Sequence, residues 1–141
     1  MEIKQLKEVT PEVILSFKEL IPQLSEKNPI PAFDDIEEII HSGNSLIFVA
    51  EENGKIIGTL TLIRYRIPSG MKTWIEDVVV DKNMRGKGIG KRLTQFAIDW
   101  AKKNNIEKID LTSSPFRIEA NELYQKIGFR KRDTNVYRLN V

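Results

Sequence analysis

A glycine-rich segment lies between a predicted strand and a predicted helix, and it limits the folds that this chain can adopt. The apolar run Val78, Val79 and Val80 precedes the segment, and apolar residues recur at helical spacing over residues 88 to 103. Glycines permit backbone turns that carry several N–H groups toward one point, and the following helix adds free N–H groups and the positive end of its dipole. Together with its basic side chains, this arrangement predicts a diphosphate site formed by Arg85, Gly86, Lys87, Gly88, Ile89, Gly90 and Lys91.

Two other phosphate-binding motifs are excluded by the spacing of the glycines. A P-loop has four residues between its first glycine and its Gly-Lys pair, which Ser or Thr follows. Here three residues separate Gly86 from Gly90, and Lys91 is followed by Arg92. The dinucleotide-binding pattern Gly-x-Gly-x-x-Gly fails because Gly90 comes one residue too early. An exposed turn with solvated lysines is the alternative that the segment alone leaves open.

Periodicity and turn signals predict a mixed α/β chain. Thr10-Pro11 supplies a helix N-cap followed by proline, Asn53-Gly54 is a strong hairpin signal, and Gly128 ends the last helical pattern. The predicted order is a strand at 2–6, a helix at 11–24, a short helix from 34, strands at 46–50, 55–66 and 73–81, a helix at 88–103, a strand at 106–111, a helix at Ile118–Ile127 and two strands within Phe129–Val141.

The composition excludes several functional classes. The 22 basic and 20 acidic residues give a net charge of +2, too little for the broad positive field of generic nucleic-acid binding, so no nucleic-acid partner is expected. With no cysteine and one histidine, the usual thiolate and imidazole ligands are missing, and no metal is expected. The length of 141 residues and the lack of a long apolar stretch predict a single cytoplasmic domain over residues 1–141 without a membrane partner.

Two motifs carry a family resemblance. The segment Arg85-Gly86-Lys87-Gly88-Ile89-Gly90 resembles the Gln/Arg-x-x-Gly-x-Gly/Ala signature of the GNAT superfamily of acyl-CoA N-acyltransferases. The segment from Glu119 to Phe129 resembles the second hallmark of that family, a helix with Asn and Tyr followed by Gly-Phe. The resemblance implies the GNAT fold, an α/β architecture whose mixed central sheet of about seven strands splays between the fourth and fifth strands. It also implies transfer of an acetyl group from acetyl-CoA to a primary amine.

The resemblance assigns roles to particular residues. The N–H groups of Arg85 to Lys91 are expected to bind the coenzyme A pyrophosphate, with Val78 to Val80 along the pantetheine arm and an N–H near Val79 or Val80 on the thioester oxygen. Tyr124 is expected to protonate the departing sulfur. Asn121, which shares its helix face, is expected to bind the pantetheine or to position Tyr124. A core tyrosine with a satisfied hydroxyl is the competing interpretation of Tyr124.

Two acidic residues precede the valine run and are candidates for the proton acceptor that an attacking amine needs. Strand alternation predicts that Glu76 and Asp77 point to opposite faces, so that only one of them faces the substrate. A similar Glu-Asp pair in several members of the superfamily makes Glu76 the leading base or ammonium-binding residue. Asp77 is the reserve, as a substrate-binding or structural acceptor, and a water chain is a further route for the proton.

Three questions stay open at this level. The expected acceptor is a small-molecule amine, with a protein or peptide amine as the alternative. A non-catalytic acyl-CoA-binding regulatory module is the competing function, and Tyr124 and Glu76 favour the enzyme. Because terminal strands of this fold often contribute to dimers, a homodimer is one expectation for the assembly.

Overall fold

The computed structural model describes residues 1–141 and contains five strands and four α-helices. The strands are β1 (Glu2–Gln5), β2 (Ser45–Glu52), β3 (Lys55–Ile67), β4 (Gly70–Val80) and β5 (Asp110–Leu111). The helices are α1 (Pro11–Leu20), α2 (Phe33–His41), α3 (Ile89–Lys103) and α4 (Ile118–Ile127), with 3₁₀ turns at Ile21–Gln23 and Lys82–Met84. The predicted mixed α/β class is confirmed. None of the helices combines the length and the apolar character that crossing a membrane requires.

The strands lie side by side in chain order. β1 to β4 are antiparallel neighbours, and β5 runs parallel to β4. The β2–β3 hairpin turns at Asn53 and Gly54, whose φ values are 52° and 75°. Positive φ at both central residues is what a type I′ turn requires, and the predicted hairpin is confirmed.

Helices α1 and α2 cover one face of the sheet. The Thr10 hydroxyl accepts a hydrogen bond from the Val13 N–H at 3.3 Å, and the Asp35 carboxylate accepts one from the Ala32 N–H at 2.7 Å. These caps satisfy N–H groups that a helix start leaves free. The apolar residues buried on this side are Leu6, Val13, Phe17, Leu20, Ile21, Ile36, Ile47, Val49, Ile56 and Val79.

Helix α3 covers the opposite face and lies close to β3 because Gly58 has no side chain. A Cβ atom at Gly58 would lie 3.2 Å from Leu93 Cδ1 and 3.3 Å from both Ile89 Cγ2 and the Val79 carbonyl oxygen. The first turns of α3 are therefore seated directly on β3 and β4. The core on this side consists of Phe48, Ala50, Ile57, Leu60, Leu62, Ile75, Ile89, Leu93 and Ala97.

Strands β4 and β5 are paired over only part of β4. The parallel ladder contains Trp74 opposite Asp110 and Ile75 opposite Leu111, whereas β4 continues to Val80. The predicted separation of the fourth and fifth strands is therefore confirmed. Strand β5 is shorter than the predicted 106–111, since only the part that meets β4 enters the ladder.

The predicted pair of strands within Phe129–Val141 is wrong, and the sheet has five strands rather than about seven. Residues 130–141 are exposed, including Val136, Tyr137 and Leu139. Alternating polarity makes a segment able to form a strand, but a hairpin needs a sheet edge on which to pair. At the β5 end of the sheet, the edge consists of only two residues, Asp110 and Leu111.

Candidate active site

Strand β4 contains a bulge at its acidic residues. Thr61 pairs with Glu76 and Thr59 pairs with Val79, so the two steps from residue 59 to 61 on β3 face the three steps from 76 to 79 on β4. The backbone accommodates the additional residue at Asp77, which has a φ of 49°. Aspartate tolerates this left-handed conformation better than most residues.

The bulge places both carboxylates on the face that α1 and α2 cover. Directly paired residues of antiparallel strands project to the same face, so Glu76 shares the face of Thr61. Asp77 lines a cavity together with Thr59 and Thr61. The prediction that Glu76 and Asp77 point to opposite faces is therefore wrong, because the additional residue interrupts the alternation.

The cavity beside Asp77 has a volume of about 260 Å³ and opens between α1, α2, the segment that joins them and the sheet. Its walls are mostly apolar and come from the helices and the joining segment, whereas its floor on β3 and β4 is polar. The lining consists of Phe17, Ile21, Asn28, Pro29, Pro31, Ile36, Ile39, Ile47, Thr59, Thr61 and Asp77.

The two carboxylates of the bulge have no counter-charge from the chain. The ion pairs of the structure involve other acidic residues, namely Glu19, Glu37, Glu51 and Asp110. Burial raises the pKa of Glu76, and the charge of Asp77 raises it further. Burial also raises the pKa of Asp77. Both shifts move the carboxylates toward the pH range in which a general base works near neutrality.

The edge of β4 that faces β5 is unpaired beyond Ile75. The Val78 carbonyl accepts a hydrogen bond from Arg117 Nη2 at 3.4 Å, and the Val80 carbonyl accepts one from Arg85 Nε at 3.1 Å. Both acceptors are therefore met by side chains instead of by β5. Beyond Ile75 this edge of β4 therefore lacks the strand partner that a complete ladder would supply.

The glycine-rich segment follows the open edge directly. Gly86 and Gly88 have φ values of 78° and 76°, and Gly88, the N-cap of α3, offers no side-chain acceptor. The first hydrogen bond of the helix runs from the Arg92 N–H to the Gly88 carbonyl, so the N–H groups of Ile89, Gly90 and Lys91 have no intrahelical partner. Exposed Arg85, Lys87 and Lys91 surround them. The segment therefore has the donors and the charge that an anion requires.

Helix α4 meets the start of α3 and the end of β4. A Cβ atom at Gly90 would lie 3.6 Å from Leu123 Cδ2 and 3.9 Å from Val80 Cγ2. The structure thus brings the glycine-rich segment, the open edge of β4 and the helix that carries Tyr124 to one place.

Tyr124 is 6% exposed and is held by the residues that follow its helix. Gly128 ends α4 with a φ of 116°, which brings the Phe129 ring edge-on to the Tyr124 ring at a centroid distance of 5.9 Å. Two buried side-chain oxygens lack a hydrogen-bond partner, namely Thr73 Oγ1 and Ser113 Oγ. The Tyr124 hydroxyl is not one of these buried, unpaired atoms. Burial raises the pKa of Tyr124, so the phenol keeps its proton at neutral pH.

Arg117 belongs to this region and was missed by the sequence analysis. Its guanidinium contacts Val78. Its positive charge also offsets part of the rise that burial causes in the pKa of Tyr124. Asn121 Nδ2 donates to the Ser114 carbonyl at 3.0 Å and so anchors the loop that carries Arg117. The signal available in the sequence was a basic residue directly before the helix that carries Tyr124.

The chain matches the model of the Acetyltransferase (GNAT) family over residues 15–129. It is 34% identical over 125 residues to glucosamine 6-phosphate N-acetyltransferase of Arabidopsis thaliana, covering 82% of each chain. It is 33% identical over 96 residues to an uncharacterized N-acetyltransferase, YhdJ, of Bacillus subtilis (strain 168), covering 67% of this chain and 68% of the relative. The crystal structure of the Arabidopsis enzyme superposes with a TM-score of 0.81 at 30% identity, covering 99% of each chain. The chain therefore belongs to the GNAT family of acetyltransferases and is an acyltransferase.

Proposed function

We propose that this acyltransferase moves an acetyl group from acetyl-CoA to the primary amine of a small molecule. The observation that carries the proposal is the course of β4. Its ladder with β5 ends at Ile75, and its free edge leads straight into a segment of unpaired N–H groups. On the face that α1 and α2 cover, β4 presents two carboxylates without ion-pair partners at the bulge.

The residues of the glycine-rich segment fit a pyrophosphate. The N–H groups of Ile89, Gly90 and Lys91, the dipole of α3 and the nearby cations Arg85 and Lys87 would hold the anion. The open edge over Val78 to Val80 would pair with an extended amide-containing chain such as pantetheine. Acetyl-CoA supplies an acetyl thioester when it is bound. A main-chain N–H near Val79 or Val80 would polarise the thioester carbonyl.

The acceptor amine would approach from the cavity. Asp77 lines that cavity and would hold the ammonium form of the amine, while Glu76, on the same face, would take a proton from nitrogen directly or through water. The raised pKa of Glu76 suits this role because a base with a pKa nearer to the working pH removes the proton more readily.

Tyr124 would complete the transfer. As the new C–N bond forms and the C–S bond breaks, the sulfur atom leaves with the electron pair and takes the phenolic proton. The raised pKa of Tyr124 keeps that proton in place beforehand. Arg117, whose positive charge lowers the pKa of Tyr124, would limit the cost of the phenolate that remains until the proton is replaced.

The Tyr124→Phe variant tests the proposal because it removes only the hydroxyl. Turnover with an acceptor amine, followed as release of free coenzyme A thiol, is expected to fall about 10²-fold, at the lower end for loss of a general acid. Acetyl-CoA affinity measured by calorimetry is expected to stay the same. Tyr137→Phe is the matched control, since Tyr137 is 86% exposed in the C-terminal segment. Equal turnover in the two variants would remove the acid role of Tyr124.

A further inference from the structure

The cavity beside Asp77 has a composition that selects among amines. Its volume of about 260 Å³ lies just below the range that is usual for small-molecule sites, about 300 to 1,000 Å³. Phe17, Ile21, Ile36 and Ile39 project into it from the helices. No lysine, arginine or histidine lines it.

The polar groups of the cavity are few and are all on its floor or rim. The Thr59 hydroxyl donates to the Phe48 carbonyl at 3.2 Å, so its proton is already engaged within the sheet. The side chains left for a ligand are those of Asp77, Thr61 and Asn28. A ligand with many hydroxyl groups would lose hydrogen bonds to water that this lining cannot replace.

Charge restricts the ligand further. Asp77 has no cation from the chain beside it, so an ammonium group would supply the missing counter-charge. A phosphate in the same cavity would find no cation and would face the carboxylate of Asp77. The lining therefore complements one positive charge joined to an apolar body.

We infer that the acceptor is a small primary amine with an aliphatic or aromatic body and without a phosphate group. Its ammonium lies at Asp77, and its apolar part lies against Phe17, Ile21, Ile36 and Ile39. The inference rests on the proposed function, because it names the substrate class of the same site. It separates this chain from its Arabidopsis relative, which is named for an amino sugar phosphate.

Binding and turnover are measured separately so that the two proposals can fail independently. Calorimetry in the presence of free coenzyme A, which carries no acetyl group, compares 2-phenylethylamine with glucosamine 6-phosphate. The apolar amine is expected to bind at least about tenfold more tightly, the scale of one well-placed apolar contact. With acetyl-CoA present, the ratio of kcat/KM for the two amines is expected to favour 2-phenylethylamine by a similar factor.

Helix α2 offers a matched pair of variants. Ile39 and Ile40 are adjacent, half-buried and packed against the same core, but only Ile39 lines the cavity. Ile39→Thr is expected to weaken 2-phenylethylamine binding about tenfold, and Ile40→Thr is expected to leave it unchanged. Circular dichroism verifies that both variants are folded, so a loss of binding is not a loss of structure.

The outcomes separate the two proposals. Tighter binding or faster acetylation of glucosamine 6-phosphate, or equal effects of the two isoleucine variants, would overturn the substrate class while acetyl transfer still holds. Specific binding of 2-phenylethylamine that Ile39→Thr weakens, without any coenzyme A release, would support the cavity assignment and overturn the transfer reaction. Absence of binding by either amine would overturn the cavity assignment.

Discussion

The close approach of α3 to β3 at Gly58 predicts opposite effects of alanine at two glycines. A Cβ atom at Gly58 would be 3.2 to 3.3 Å from two side-chain carbons and from the Val79 carbonyl oxygen. Side-chain ends can shift, but the Val79 carbonyl belongs to the strand pair in which Val79 faces Thr59. At Gly90, within the first turn of α3, a Cβ atom would make ordinary contacts of 3.6 and 3.9 Å.

These distances set the sign and the size of each effect. Overpacking a core lowers the free energy of unfolding by about 1 to 3 kcal/mol. Replacing glycine by alanine raises it by about 0.4 to 1 kcal/mol, because the unfolded chain has less conformational freedom. Gly58→Ala is therefore expected to lower the free energy of unfolding by about 1 kcal/mol. Gly90→Ala is expected to raise it by about 0.5 to 1 kcal/mol, because alanine favours a helix over glycine and nothing opposes the methyl group.

Urea unfolding followed by circular dichroism, without acetyl-CoA, measures both variants. The two free energies of unfolding are expected to differ by about 1.5 to 2 kcal/mol, which corresponds to about 5 to 7 °C in Tm for a chain of this size. A Gly58→Ala variant as stable as Gly90→Ala would show that β3 and α3 are not in the close contact described above.

Three further variants probe the site. Gly88→Asp is expected to abolish acetyl-CoA binding, since a negative charge would lie at the unpaired N–H groups of α3; near-normal affinity by calorimetry in a folded variant would remove the pyrophosphate assignment. Glu76→Gln is expected to lower turnover most near neutral pH and to recover partly in alkali, where more acceptor is already neutral; an unchanged pH profile would leave Glu76 a structural carboxylate. Asp77→Asn is expected to raise Tm at neutral pH. Burial raises the pKa of Asp77 above its ordinary 3.8, so the folded chain binds that proton more tightly than the unfolded chain and loses stability as Asp77 ionises. The gain in Tm should therefore shrink as the pH falls through the raised pKa of Asp77 and vanish below about 3.8, where the residue is protonated in both states; a gain that grows in acid would contradict this sign.

The local elements of the fold could be predicted from the sequence. The bounds of α4, Ile118–Ile127, and the turn at Asn53-Gly54 were both predicted correctly. The start of α1 after Thr10 was also predicted correctly. Each of these features depends on residues within a few positions of one another, such as a capping hydroxyl, a glycine with positive φ or a helical repeat of apolar side chains. The glycine-rich segment belongs to this group, because its three glycines and the helix that follows are adjacent in the chain.

The directions of the predicted site residues and the set of strands depend instead on contacts between residues that are far apart in the chain. The face of Asp77 depends on the register between β3 and β4, in which Thr59 and Thr61 meet Val79 and Glu76, and no local pattern specifies a register that contains an added residue. Arg117 reaches Val78 across 39 positions of the chain, a contact that requires β4 and β5 to separate. Residues 137–141 of the C-terminal segment alternate in polarity as a strand does, but the segment has no ladder partner. Alternating polar and apolar residues indicate that a segment is able to form a strand. Pairing itself requires a sheet edge, which only the folded chain can supply.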